Sequence, residues 1–159
     1  MNDEKVIVNR ESSKKGYVLT FSDNSQLVID EETYFKNYIY EKEVLSEELF
    51  NDISDKIKNV QCYNKAITYL LNGKKTENRI KSYLESKGFE CKAIDNAIYK
   101  LKKENKINDN DFINKIIKAN MKTGMKRDKL ITKLIYHGID LEIAIKEVDK
   151  VIKYEEDTY

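Results

Sequence analysis

A chain of 159 residues with 36% charged side chains and a formal net charge of +1 can hold one ordinary domain, or a small domain followed by a short repeat array. No stretch approaches the ~18 apolar residues of a membrane span, and the N-terminus has no signal-peptide core, so a cytoplasmic protein without a membrane partner is expected. The near-zero total hides an asymmetry: residues 1–55 carry 6 Lys/Arg against 13 Asp/Glu, residues 56–104 carry 12 against 5, and residues 105–159 carry 11 against 10. An acidic front end joined to a basic body raises the prospect of a polyanionic partner, although a genome that encodes Lys, Asn and Ile freely accounts for part of the lysine content.

In chain order, Val6-Ile7-Val8, Tyr17-Val18-Leu19-Thr20-Phe21 and Leu27-Val28-Ile29 are β-prone, and the turn-forming run Ser22-Asp23-Asn24-Ser25 predicts a hairpin between the last two. Three short strands need a cover. Asp30 can cap a short helix carrying Tyr34, Phe35 and Tyr38, and Ser46 can cap another carrying Leu49, Phe50 and Ile53. Residues 1–55 therefore read as a small α+β unit.

Beyond it the pattern turns helical. Ile57, Val60, Tyr63, Ala66, Ile67, Leu70 and Leu71 form one stripe, ended by Gly73. A second helix over about 76–87 has Thr76 as its cap, Glu77 at the positive end of the dipole, Ile80, Tyr83 and Leu84 on one face, and Gly88-Phe89 as its stop. A third spans about 91–104. After Asn108 or Asp109 as a further cap, helices follow over about 110–122, 126–137 and 141–154, the last headed by Asp140. Cys62 and Cys91 lack metal-ligand spacing and read as small buried hydrophobes.

A shift of 50 residues carries Ile80, Leu84, Gly88 and Phe89 onto Leu130, Leu134, Gly138 and Ile139, and Ala66, Ile67, Ile98 and Leu101 onto Ile116, Ile117, Val148 and Val151. This is the mark of a repeat architecture. The expected fold is mainly α: two tandem three-helix repeats, 56–106 and 107–159, with a period of about 50, preceded by the small α+β unit 1–55. The repeats bury a shared seam because neither holds enough apolar surface alone.

These residues resemble the RecX family, regulators of the recombinase RecA. The resemblance rests on Lys75-Thr76-Glu77, Ile80, Tyr83-Leu84 and Lys87-Gly88-Phe89, then Ile94, Ala97-Ile98 and Leu101, then Lys106-Ile107-Asn108-Asp109 and Phe112. The second unit matches more loosely through Gly124, Leu130, Leu134 and Gly138-Ile139, and the β-rich front end resembles members from Gram-positive bacteria. Asn108 stands where the family has Asp, and Ile113 where it usually has Ala. The family is typically built of three repeats and only two are present here, so a third is expected to begin near Tyr159, in a truncated chain or a naturally short member. The resemblance implies a monomeric protein without a cofactor, which binds the RecA filament on single- or double-stranded DNA and inhibits it by limiting growth or promoting disassembly.

No catalytic constellation or Gly-rich phosphate cradle is present, so a non-enzymatic protein is expected. His137, in the last turn of a helix, reads as a helix-end cation, and Asp109 and Asp111 read as caps rather than as metal ligands. The candidate binding residues are cations: Lys74 and Lys75 before one second helix, Lys126 and Arg127 at the start of the other, the pairs Arg79/Lys129 and Lys65/Lys115 related by the 50-residue shift, and Lys122 and Lys133. Aligned on one side, they would form a stripe for phosphates or for an acidic filament groove. An ordinary solvated face accounts for the same pattern. Tyr69, Tyr83 and Tyr99 lie among them, either packed or able to stack on bases. An autonomous DNA- or RNA-binding module and a helical adaptor for another protein fit the composition as well as the regulator does.

Overall fold

The structure, a computed structural model, describes residues 3–158; Tyr159, near which a third unit was expected to begin, lies outside them. The chain divides into two units, Met1–Val60 and Gln61–Tyr159.

In the first unit, β1 (Lys5–Ser13), β2 (Gly16–Phe21), β3 (Gln26–Ile29) and β4 (Val44–Leu45) form an antiparallel sheet in the order β3-β2-β1-β4. Alternation sends Ile7, Leu19, Phe21 and Ile29 to one face, where they pack with Tyr34 of α1 (Glu31–Lys36), Ile39, Leu45, and Ile53 of α2 (Glu47–Leu70). The predicted hairpin forms: Asp23 accepts a hydrogen bond from the Ser25 amide at 3.0 Å, and Asn24 takes a positive φ of 65°. Gly16 is required at the other hairpin, because a Cβ there would stand 2.1 Å from the Ile29 carbonyl oxygen. The short strand β4, which pairs Val44 with Val6, has too few residues to show any sequence periodicity.

Asp30 and Ser46 cap as expected, bonding the amides of Thr33 (3.1 Å) and Leu49 (3.2 Å). The helix begun by Ser46 does not stop near Ile53, however. It continues as α2 to Leu70, since Ser54-Asp55-Lys56 contains no Gly or Pro to break it. Val60 and Leu71, read as part of the apolar stripe, are exposed.

In the second unit, α3 (Glu77–Ser86) and α4 (Cys91–Lys103) pack with the end of α2 around Cys62, Ala66, Ile80, Leu84, Ala97, Ile98 and Leu101. Next, α5 (Asp109–Met121), α6 (Arg127–Tyr136) and α7 (Leu141–Thr158) enclose Ile113, Ile117, Leu130, Leu134, Ala144 and Val148. The repeat is therefore real in three dimensions. The starts of α3 and α6, their ends, and the starts of α4 and α7 each lie 50 residues apart.

The first helices are one residue out of step. Buried Cys62 and Ala66 correspond to buried Ile113 and Ile117, and Gly73 corresponds to Gly124, all 51 apart. The turn between Gly73 and Thr76 is one residue longer than its counterpart between Gly124 and Lys126, which absorbs the difference. Lys65 and Lys115 are consequently not equivalent; Asn64 is the counterpart of Lys115. Cys62 is buried as expected, but Cys91 is exposed, because it opens α4 on the side away from Ala93 and Ile94, which are the residues of that turn that enter the core.

Candidate partner-binding face

The second unit is organised around the junction between its two three-helix sets. Thr76 caps α3 through its own hydroxyl, which accepts from the Arg79 amide at 3.3 Å and donates to the His137 carbonyl. Asn78 donates to the Gly138 carbonyl at 2.6 Å, and the Arg79 guanidinium donates to the Tyr136 carbonyl. The head of α3 thus satisfies three successive carbonyls at the tail of α6, which a helix leaves without partners of its own. Asp109 completes the junction by accepting from the Glu77 amide at 2.9 Å. It is a cap, as expected of it, but of a helix 32 residues away rather than of its own; α5 is capped by Asn108, which accepts from the Asp111 amide at 3.1 Å. Burial pushes the Glu77 carboxyl up, yet Lys102 at 2.8 Å and Lys81 at 3.3 Å together hold it below its ordinary range.

Several candidate cations gather at this junction. Lys74 is exposed, and its ammonium is pushed down by the neighbouring ammonium of Lys115, with Asp111 acting in the opposite sense. Lys75 lies 5.2 Å from the centre of the Tyr69 ring, and Arg79 lies 5.0 Å from that of Tyr136. Lys133 donates to the Oδ1 of buried Asn120 at 2.9 Å. Half-buried His137 registers their field. His137 does stand at the end of α6, but burial first, then Arg79, Lys133 and Lys75, push its imidazole below its ordinary value, against the charge that the helix dipole favours there.

Of the remaining candidates, Arg127 is already engaged. The Arg127 guanidinium grips Asp149 of α7 in bidentate fashion at 2.6 and 3.1 Å and also reaches Asp128, holding the Asp149 carboxyl below its usual range. Lys65 lines a shallow groove with Lys87 and Phe89. Lys122 caps the tail of α5, Lys126 heads α6 without a side-chain capping bond, and Lys129 is exposed on α6. Tyr69 and Tyr83 stack on each other with ring centres 4.0 Å apart, half-buried against the core, whereas Tyr99 is exposed. Of the ten candidate cations, Lys74 and Lys115 stand beside each other, and Lys75, Arg79 and Lys133 lie around His137 near the α3–α6 junction.

Sequence reasoning passed over Asn78, Tyr136 and the long-range role of Asp109. Their partners lie far along the chain, and local pattern carries no trace of them. Among the described residues, no helix is long and apolar enough to cross a membrane.

No family model matches the chain. It is 25% identical over 151 residues to the regulatory protein RecX of Caldanaerobacter subterraneus subsp. tengcongensis, covering 95% of this chain and 76% of that protein. To the regulatory protein RecX of Clostridium botulinum it is 29% identical over 152 residues, covering 82% and 71%. Against the protein of the same name from Listeria monocytogenes serotype 4b the identity is 26%, over 89% of this chain but only 53% of the relative, so the chain spans little more than half of that protein. A crystal structure of regulatory protein RecX shares the fold, with a TM-score of 0.64 at 17% identity, over 93% of this chain and 74% of that one. Along most of its length the chain is thus similar to proteins named regulatory protein RecX, and it shares the fold of a solved one.

Proposed function

We propose that this protein is a cytoplasmic, non-enzymatic regulator of the RecA recombinase, which binds the RecA filament on DNA and restrains it by limiting growth or promoting disassembly. The name and fold of its relatives supply the regulatory class. The observation that carries the binding face is the exposed Lys74–Lys115 pair, two ammonium groups side by side with three further cations nearby. Like charges held together repel, and a phosphate or carboxylate placed between them turns that repulsion into attraction. In this reading residues 56–106 and 107–159 are the binding repeats, 1–55 is an accessory unit, and the regulator acts as a monomer.

The test is RecA ATPase on single-stranded DNA with this chain titrated in, beside the double variant K74E/K115E. Loss of ATPase at substoichiometric protein, abolished by the variant, is expected. Undiminished ATPase with the unaltered chain would sink the reading.

The same lysine pair also suits an autonomous nucleic-acid module. That alternative requires binding to bare DNA or RNA with a log–log salt slope of several.

A further inference from the structure

The first unit carries a feature that the regulatory reading does not use. Phe35, Tyr38 and Tyr40 are exposed, Tyr38 by 61%, yet their rings form one cluster, with Phe35 and Tyr38 each in contact with Tyr40 at centre separations of 5.6 and 6.2 Å. Behind them Tyr34 is buried and stacks on Tyr17 at 3.9 Å, so the outward rings rest on a packed aromatic base. Ile39, fully buried between the two exposed tyrosines, anchors the turn Ile39–Glu41, and the Arg10 guanidinium ties that turn down through the carbonyls of Ile39 and Lys42.

The backbone at Tyr38 is left-handed, with φ 53° and ψ 34°. For a bulky residue that conformation costs roughly 1–2 kcal/mol, which Gly or Asn would largely avoid. The chain thus holds an aromatic ring outward in a strained position, a combination that marks binding surfaces. Charge identifies the partner. Residues 30–43 hold Asp30, Glu31, Glu32, Glu41 and Glu43 against two lysines. This acidic stretch, with Glu41 beside Tyr40, repels phosphates and attracts cations, and aromatic faces attract ammonium and guanidinium groups.

We propose that Phe35, Tyr38 and Tyr40 form a docking site for an arginine- or lysine-bearing segment of a partner protein. The cationic group lies over the rings while the carboxylates of the same stretch, Glu41 first, hold its charge, and a nucleic-acid strand is disfavoured at the same place.

The test is anisotropy of a fluorescein-labelled nona-arginine peptide titrated with the full chain at near-physiological salt, beside the variant F35A/Y38G, which keeps every charge. Loss of two rings is expected to weaken binding about tenfold. Y38G alone is expected to raise the thermal midpoint by relieving the left-handed tyrosine, which separates lost binding from lost folding. Equal affinity of the double variant would overturn the proposal, leaving only diffuse charge attraction. So would binding of labelled oligo-dT that the same variant abolishes, or concentration-dependent self-association that it abolishes, since the occupant would then be a nucleic acid or a second copy.

Discussion

Thr76 is a fully buried polar side chain whose single hydroxyl serves two helices, accepting at the head of α3 and donating to the tail of α6. T76V keeps the shape but strands both groups, and is expected to cost about 1–3 kcal/mol in urea denaturation. Its role as a cap is visible in the sequence, because Thr before Glu at the start of an apolar stripe is a helix-start pattern. Its second partner is not, being 61 residues away. His137 shows the same limit: a helix-end position predicts a favoured cation, but Arg79, Lys133 and Lys75 converge there only in the fold. Because the folded chain resists a proton that the unfolded chain accepts, stability should fall as pH drops below ~6.5 and level off above it. Urea midpoints between pH 5.5 and 7.5 should show this slope, and H137Q should flatten it.

At the scale of the helices, the junction is tested by paired glycines. Gly88 and Gly138 end α3 and α6 with φ values of 86° and 90°, but a Cβ at Gly88 meets open space while one at Gly138 meets Thr76 Oγ1 at 3.1 Å and Asn78 Cβ at 3.3 Å. G88A is expected to lose roughly 1–2 kcal/mol from the left-handed backbone alone. G138A should lose at least about 1 kcal/mol more from crowding. Equal losses in thermal melts would mean that the α3–α6 contact is loose. D109A, which frees the Glu77 amide, should cost about 0.5–2 kcal/mol by the same measurement. Helix positions and stops were legible because Gly73, Gly88 and Gly138 punctuate a 3.6-residue apolar rhythm. The fusion of two predicted helices into α2 was not: a polar Ser-Asp-Lys run on the solvent face looks like a break, although nothing in it stops a helix. The 51-residue offset of the first helices was hidden for a similar reason, since Ala66 and Ile67 are both apolar and either can be aligned with Ile117.

Across the whole molecule, the sequence already shows where charge is concentrated, through the acidic run 1–55 and the basic run 56–104. Which cations act together was illegible, because Lys74 and Lys115 are brought side by side only by the packing of the repeats. K115Q removes the repulsion at Lys74 and is expected to raise the thermal midpoint at low salt, a gain that should close toward 1 M salt as screening takes over. If the proposed function holds, the same substitution weakens binding, so stability and affinity should move in opposite directions.

The capping of one repeat by the other has a consequence for synthesis. Thr76 leaves the ribosome 61 residues before the carbonyl it serves, and at bacterial translation speeds that gap lasts about 3–12 s. Throughout that interval the Thr76 hydroxyl lacks the carbonyl it serves, although the core around Ile80 and Leu84 has all of its residues once Ile107 has been made. The junction between the repeats therefore waits for α6 to be made, and a ribosome that pauses within α5 would prolong the time for which a nascent chain offers the unpaired head of α3 to chaperones and proteases.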